Sequence, residues 1–130
     1  MLVLIVVASQ LFSACVKGAG EEGVKPDFIP HFTYGGFTYY IHPSLGEMNW
    51  NQSNNACNAL TAYGYYDWFM PSRGEIEAAQ KAGFFVYGWS STDNGRFLFD
   101  CAYYYCNWLG DWYEEYPDVD PYDVFPMRKQ

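Results

Sequence analysis

The chain has 130 residues, room for one domain rather than two. Half of its residues are hydrophobic, 22% are aromatic and 17% are charged, which excludes a mainly disordered polypeptide. Seven Lys and Arg against fifteen Asp and Glu leave a formal net charge of −8. Polyanions therefore meet repulsion, which argues against nucleic acid as a partner, and no apolar run reaches the roughly 18 residues of a membrane-spanning helix.

Met1 to Ala14 is largely apolar and ends in small residues before Cys15, the layout of a signal peptide over residues 1–14. Leu11-Phe12-Ser13-Ala14-Cys15 resembles a bacterial lipobox. That resemblance implies acylation of Cys15 and a lipid-anchored protein of the bacterial cell envelope, exposed at its surface. Residues 15–27 then read as the lipidated Cys and a flexible tether, since Val16 to Pro26 holds three Gly, two Glu and two Lys and little to bury. A plain secreted protein, or a buried N-terminal strand, fits the same apolar run. On the first reading the membrane is met through the anchor only, and residues 28–130 are the ligand-binding domain.

Within that domain, Phe32 to Tyr34 and Phe37 to Ile41 flank Gly35-Gly36 and read as a β-hairpin, stopped by Pro43. Trp50, Ser53, Cys57 and Leu60 fall at helical spacing, so Asn49 to Ala62 reads as a helix closed near Gly64. Tyr65 to Met70 is aromatic and extended. Ser72-Arg73-Gly74-Glu75 is a capping box that opens a helix over Arg73 to Ala82, ended by Gly83. Short strands are expected at Phe84 to Trp89, Arg96 to Phe99 (with Asn94-Gly95 as the turn between them) and Val124 to Met127. The class is α+β, with two helices and a loop-rich β-portion.

Several of these elements also resemble a known family. Trp50, Ala56-Cys57-Asn58-Ala59-Leu60, Gly64 to Ser72, Glu75-Ile76, Trp89-Ser90-Ser91-Thr92 and Val124 to Arg128 are similar in order and spacing to the Lcl C-terminal domain family. The resemblance spans about eighty residues. It implies a C-type-lectin-like fold, two helices packed on a small twisted antiparallel sheet with long loops, related to formylglycine-generating-enzyme-like domains. Adhesins, phage receptor binders and retroelement-diversified surface proteins share that fold, so the site has to decide function. Family members with a Cys near the C-terminus can pair it with the helix Cys. Pro126 stands there in this chain, which leaves Cys57 without that partner.

Cys101 to Tyr122 concentrates eight aromatic residues in 22, interleaved with acids and no Lys or Arg. Neither helical nor alternating periodicity orders them, and about half of the rings are expected in the core. Rigid amphipathic rings beside polar groups suit recognition of a glycan or a protein. The expected ligand-binding residues are Trp89, Asp93, Tyr103, Tyr104, Tyr105, Asn107, Trp108, Asp111, Trp112, Tyr113 and Tyr116. The excess of Tyr, Asn, Asp and Ser also resembles a hypervariable segment diversified by a retroelement. Six carboxylates between Asp111 and Asp123, Asp118 and Asp120 among them, offer oxygen ligands for calcium, although no EF-hand spacing exists and a solvated acidic loop explains them too.

With Cys15 lipidated, Cys57, Cys101 and Cys106 remain as disulfide candidates, an odd number whose pairing the sequence leaves open. Cys101 and Cys106 share a C-x₄-C spacing with the copper-binding thiols of formylglycine-generating oxidases, a remote alternative that lacks that site's Arg- and Gly-rich surroundings. His31 and His42 have no ligand set, and no nucleophile–base arrangement stands out. The expectation is therefore a binding protein without catalysis and without a cofactor, adhesin- or receptor-like, with a structural envelope or fimbrial-tip subunit as the alternative.

Overall fold

The computed structural model describes residues 29–93, 103–118 and 121–130. The signal peptide, Cys15, the tether, the Asn94-Gly95 turn, the Arg96 to Phe99 strand, Cys101 and Asp120 all lie outside these residues. The described elements run β1 (His31–Tyr34), β2 (Phe37–Ile41), α1 (Trp50–Ala59), a 3₁₀ turn (Ala62–Gly64), α2 (Arg73–Lys81), β3 (Gly88–Asp93), β4 (Tyr103–Cys106), β5 (Trp112–Glu115) and β6 (Met127–Lys129). The class is α+β. Instead of the single sheet that the resemblance implies there are two three-stranded antiparallel sheets, ordered β1-β2-β6 and β3-β4-β5.

The Gly35-Gly36 turn sets the β1–β2 register, with Tyr34 opposite Phe37. The sequence-predicted second strand is found as read, and β6 pairs along its other side. That last strand lies further along the chain than expected. Val124 to Pro126 runs beside residues 42–45, donating no ladder of its own: Leu45 and His42 amides donate to the Val124 and Pro126 carbonyls. Tyr65 to Met70 makes no strand beyond a single bridge, Phe69 to Met127.

Both helices open on reciprocal caps. Ser72 Oγ accepts from the Glu75 amide while Glu75 Oε1 accepts from the Ser72 amide, as the sequence predicts. Asn49 and Gln52 make the equivalent pair on α1. α1 is shorter than the expected Asn49 to Ala62, because Leu60 is already extended and Tyr63 takes a positive φ of 59° in the following 3₁₀ turn.

Three buried clusters join these layers. Ile76 and Ala79 of α2 meet Phe32, Tyr39, Ile41 and Met127 of the first sheet and Cys106 of the second. Cys57 of α1 packs with Met70, Trp89 and Val124. Trp68 packs with Ile29 and Tyr40. Beside the third cluster, the buried Arg128 makes a two-pronged ion pair with Asp67, at 2.8 and 3.2 Å, while its guanidinium lies 3.7 Å from the Tyr65 ring centroid. β3 starts at Gly88 rather than Phe84. The Gly88 φ is 98° and a Cβ there would come 1.9 Å from the Asp123 carbonyl, so only glycine lets the two segments approach.

Candidate functional site

The aromatic segment expected to be a loop is an antiparallel hairpin, β4–β5, with Tyr103 opposite Glu115, Tyr104 opposite Glu114, Tyr105 opposite Tyr113 and Cys106 opposite Trp112. Side chains alternate across a strand, so this register divides the expected binding residues between two faces. Tyr104, Cys106 and Trp112 face α2. Tyr103, Tyr105 and Tyr113 face the other way.

On the α2 face the Arg73 guanidinium lies between the Tyr104 and Trp112 rings, 4.8 and 4.9 Å from their centroids. Glu77 completes the group, accepting from the Trp112 indole at 2.9 Å and pairing with Arg73 at 3.5 Å. Tyr104 and Trp112 thus anchor the hairpin on the helix.

On the opposite face Tyr103 stacks on Trp50 at 4.0 Å and Tyr105 stacks on Tyr122 at 3.7 Å. Tyr113, with half of its surface exposed, tilts over Tyr105 at 6.0 Å. Trp89 stands at the root of this face and is a further correction: its exposure is 0%, its indole donates to the Met48 carbonyl, and it meets Tyr122 edge-on. A ring with no exposed surface cannot touch a ligand.

Negative charge frames the wall of rings. Asp123 accepts from the Ser44 hydroxyl and from the Tyr87 phenol. Burial pushes both the Tyr105 and Tyr87 phenols above their ordinary values, and the nearby Asp123 and Glu47 carboxylates add to it. The stretches that build this face, residues 44–50, 87–93, 103–118 and 121–123, contain no Lys or Arg. Asp93 is exposed at the end of β3, opposite Tyr103, and Tyr116 and Asp118 are exposed beyond β5.

Between the strands the hairpin tip is held by Asn107. Its Oδ1 accepts from the Leu109 amide at 2.9 Å and the Asp111 amide at 3.2 Å, and its own amide donates to the Asp111 carbonyl. Gly110, at a φ of 91°, makes the reversal. Asn107 therefore builds the turn. What the turn presents is apolar: Trp108 is 60% exposed and Leu109 66%, with the 75% exposed Phe85 meeting Trp108 edge-on at 6.3 Å. Phe85 continues into an apolar recess of about 170 Å³ lined by Pro30, Ile41, His42, Pro43, Phe84, Val86 and Phe125. Sequence reading placed Trp108 and Asp111 at the site but missed Phe85 and this recess. The signal was there, since two adjacent Phe in an extended segment point to opposite sides and one must face outward.

About half of the eight rings were expected in the core, but none is buried: Trp108, Tyr113 and Tyr116 are exposed and the other five are intermediate. Cys57 and Cys106 are buried, unpaired thiols in different clusters. No disulfide joins them, and burial pushes the Cys57 thiol up to about 12. Cys106 accepts from Gln80 and donates to the Asn107 carbonyl. Among the described residues no three His, Cys, Asp or Glu converge to hold a metal ion, and none of the helices is long and apolar enough to cross a membrane. His42 is half-buried against Trp68, and burial holds its ring below the ordinary His value.

Compared with known proteins, the chain matches no family and no curated relative. The functional reading therefore rests on its own residues.

Proposed function

We propose that this chain is a surface-exposed bacterial lipoprotein, anchored through Cys15, whose C-type-lectin-like domain binds an extracellular protein or glycan without chemistry of its own. The observation that carries the reading is the β4–β5 tip. A turn fixed by three hydrogen bonds of Asn107 holds Trp108 and Leu109 in water beside Phe85. Clustered apolar surface that is ordered yet uncovered costs stability and marks an interaction site. Asp111 adds an exposed acceptor at the tip, and Tyr113, Tyr116 and Asp118 are further exposed rings and acceptors along and beyond β5.

The test is an array of extracellular proteins and glycans probed with the full chain in detergent, once with calcium and once with a chelator. Binding that is lost in Trp108→Ser/Leu109→Ser supports the reading, and a signal lost only in chelator makes calcium part of it. A folded chain that binds nothing on the array contradicts it. A near-copy template and a reverse transcriptase gene beside the coding sequence are what the hypervariable reading requires.

One observation favours the structural-subunit alternative. The tip runs through Phe85 into a recess almost without polar side chains, His42 excepted, and such a surface fits a permanent protein neighbour better than a sugar. Co-purification of the chain with one stoichiometric envelope protein is the result that reading requires.

A further inference from the structure

Four of the five tryptophans donate their indole N–H within the chain: Trp50, Trp68 and Trp89 to the carbonyls of Ser90, Ala62 and Met48, and Trp112 to Glu77. Trp108 is the fifth, and among the described residues its indole has no acceptor. Its exposed ring stands edge-on to the exposed Phe85 ring, and Phe85 also lines the apolar recess of about 170 Å³. A cavity of about 150 Å³ holds one benzene-sized ring. The recess therefore admits one side chain of that size, beside a corner of two rings that carries a free donor.

We infer that this surface binds an extended, proline-containing segment of a partner polypeptide. One apolar side chain fills the recess, a proline ring lies against Phe85 and Trp108, and a backbone carbonyl accepts from the Trp108 indole. The inference deepens the ligand-binding reading above and rests on it. A polyproline II segment makes no internal hydrogen bonds, so its carbonyls accept from outside donors, and its side chains recur every third residue along one edge. Its backbone is already restrained, so binding orders little more of it. A sugar would need several polar side chains, and in the recess only His42 is polar. Charge favours the same partner. The chain carries a net −8, and Asp111 is exposed at the tip just beyond Gly110, so a Lys or Arg beside the prolines is attracted and an acidic segment is repelled.

The experiment titrates the full chain, in detergent, with two labelled Pro-Pro-Leu repeat peptides, one with a lysine at its start and one with a lysine at its end. Each has a counterpart with alanine in place of every proline. Fluorescence anisotropy at about 0.15 M salt reads the affinity, where exposed long-range attraction is largely screened. The expected result is that one proline peptide binds at least about tenfold tighter than its alanine counterpart. Trp108→Phe, which keeps a ring and removes the N–H, weakens it about two- to tenfold. Phe85→Ser weakens it at least about tenfold. Tyr66→Ala, which removes an exposed ring elsewhere, leaves it unchanged. Equal binding of proline and alanine peptides, or parental affinity in Trp108→Phe, overturns the inference. A dimer in sedimentation that Phe85→Ser splits gives the surface to a second copy and overturns it as well. If the proline peptides fail while an array ligand still depends on Trp108, the inference fails and the binding reading stands. An array that is blank for a folded chain removes the binding reading instead.

Discussion

The two faces of the β4–β5 hairpin are made from the same kinds of residue and are used differently. Toward α2, Tyr104 and Trp112 enclose an arginine of the chain itself, and Glu77 satisfies both the indole and the cation. Away from α2, Tyr105 lies between the Tyr113 and Tyr122 rings, and among the described residues no cation is seen over either Tyr105 or Tyr113. Composition alone cannot tell these faces apart. The register does, because one step along a strand moves a side chain from a contact that the fold completes to one that it leaves open.

The contrast can be broken most forcefully at the root of the second sheet. Trp89→Ala removes a fully buried indole and its hydrogen bond to Met48, and should cost about 3–5 kcal/mol in urea unfolding. A loss below about 1 kcal/mol would mean that Trp89 is not the core residue described here. On the α2 face, Trp112→Ala should cost about 1–2 kcal/mol, less than a core indole because the ring is only half-buried. On the opposite face, Tyr113→Ala should stay within about 0.5 kcal/mol of the parent. Were Tyr113 and Trp112 to cost the same, the distinction between a structural and an available face would collapse.

The smallest expected effect sharpens the comparison at the other internal cation. Hydrogen bonding from Arg128 holds the Asp67 carboxyl below its ordinary value of 3.8. A carboxyl with a lowered folded value contributes stability above its unfolded value and loses it as pH falls through the folded one. The parent should therefore lose a few tenths of a kcal/mol below about pH 4, a modest amount because the Asp67 side chain is 57% exposed. In Asp67→Asn that part of the pH profile should be flat. A profile identical to the parent's would remove Asp67 from the acid response.

Much of the scaffold was legible in the sequence. The Gly35-Gly36 hairpin and the Ser72–Glu75 cap are local devices, each encoded within a few residues, and both are present. The second cap, Asn49 with Gln52, follows the same spacing with amides in place of hydroxyl and acid. The β4–β5 hairpin was not legible as strands. Strand reading needs apolar and polar residues in alternation, and here both faces carry rings, so the period of two is hidden. The Asn107-to-Gly110 spacing was the one local trace of its turn. The burial of Trp89 has no local signal either, because the approach of Met48 and Tyr122, distant in the chain, encloses it. The apolar recess joins Pro30, Pro43, Phe84 and Phe125, residues too far apart in the chain for any local pattern to unite.

The most direct measurement takes one ligand from the array and determines its affinity for four variants whose melting curves are recorded in parallel. The account predicts that Trp108→Ser and Tyr113→Ala weaken binding while melting like the parent. It predicts that Tyr104→Ala and Trp112→Ala melt earlier but, while folded, bind as the parent does. Affinity lost through Tyr104 or Trp112, with Trp108 and Tyr113 silent, would contradict it and put the binding surface on the α2 side.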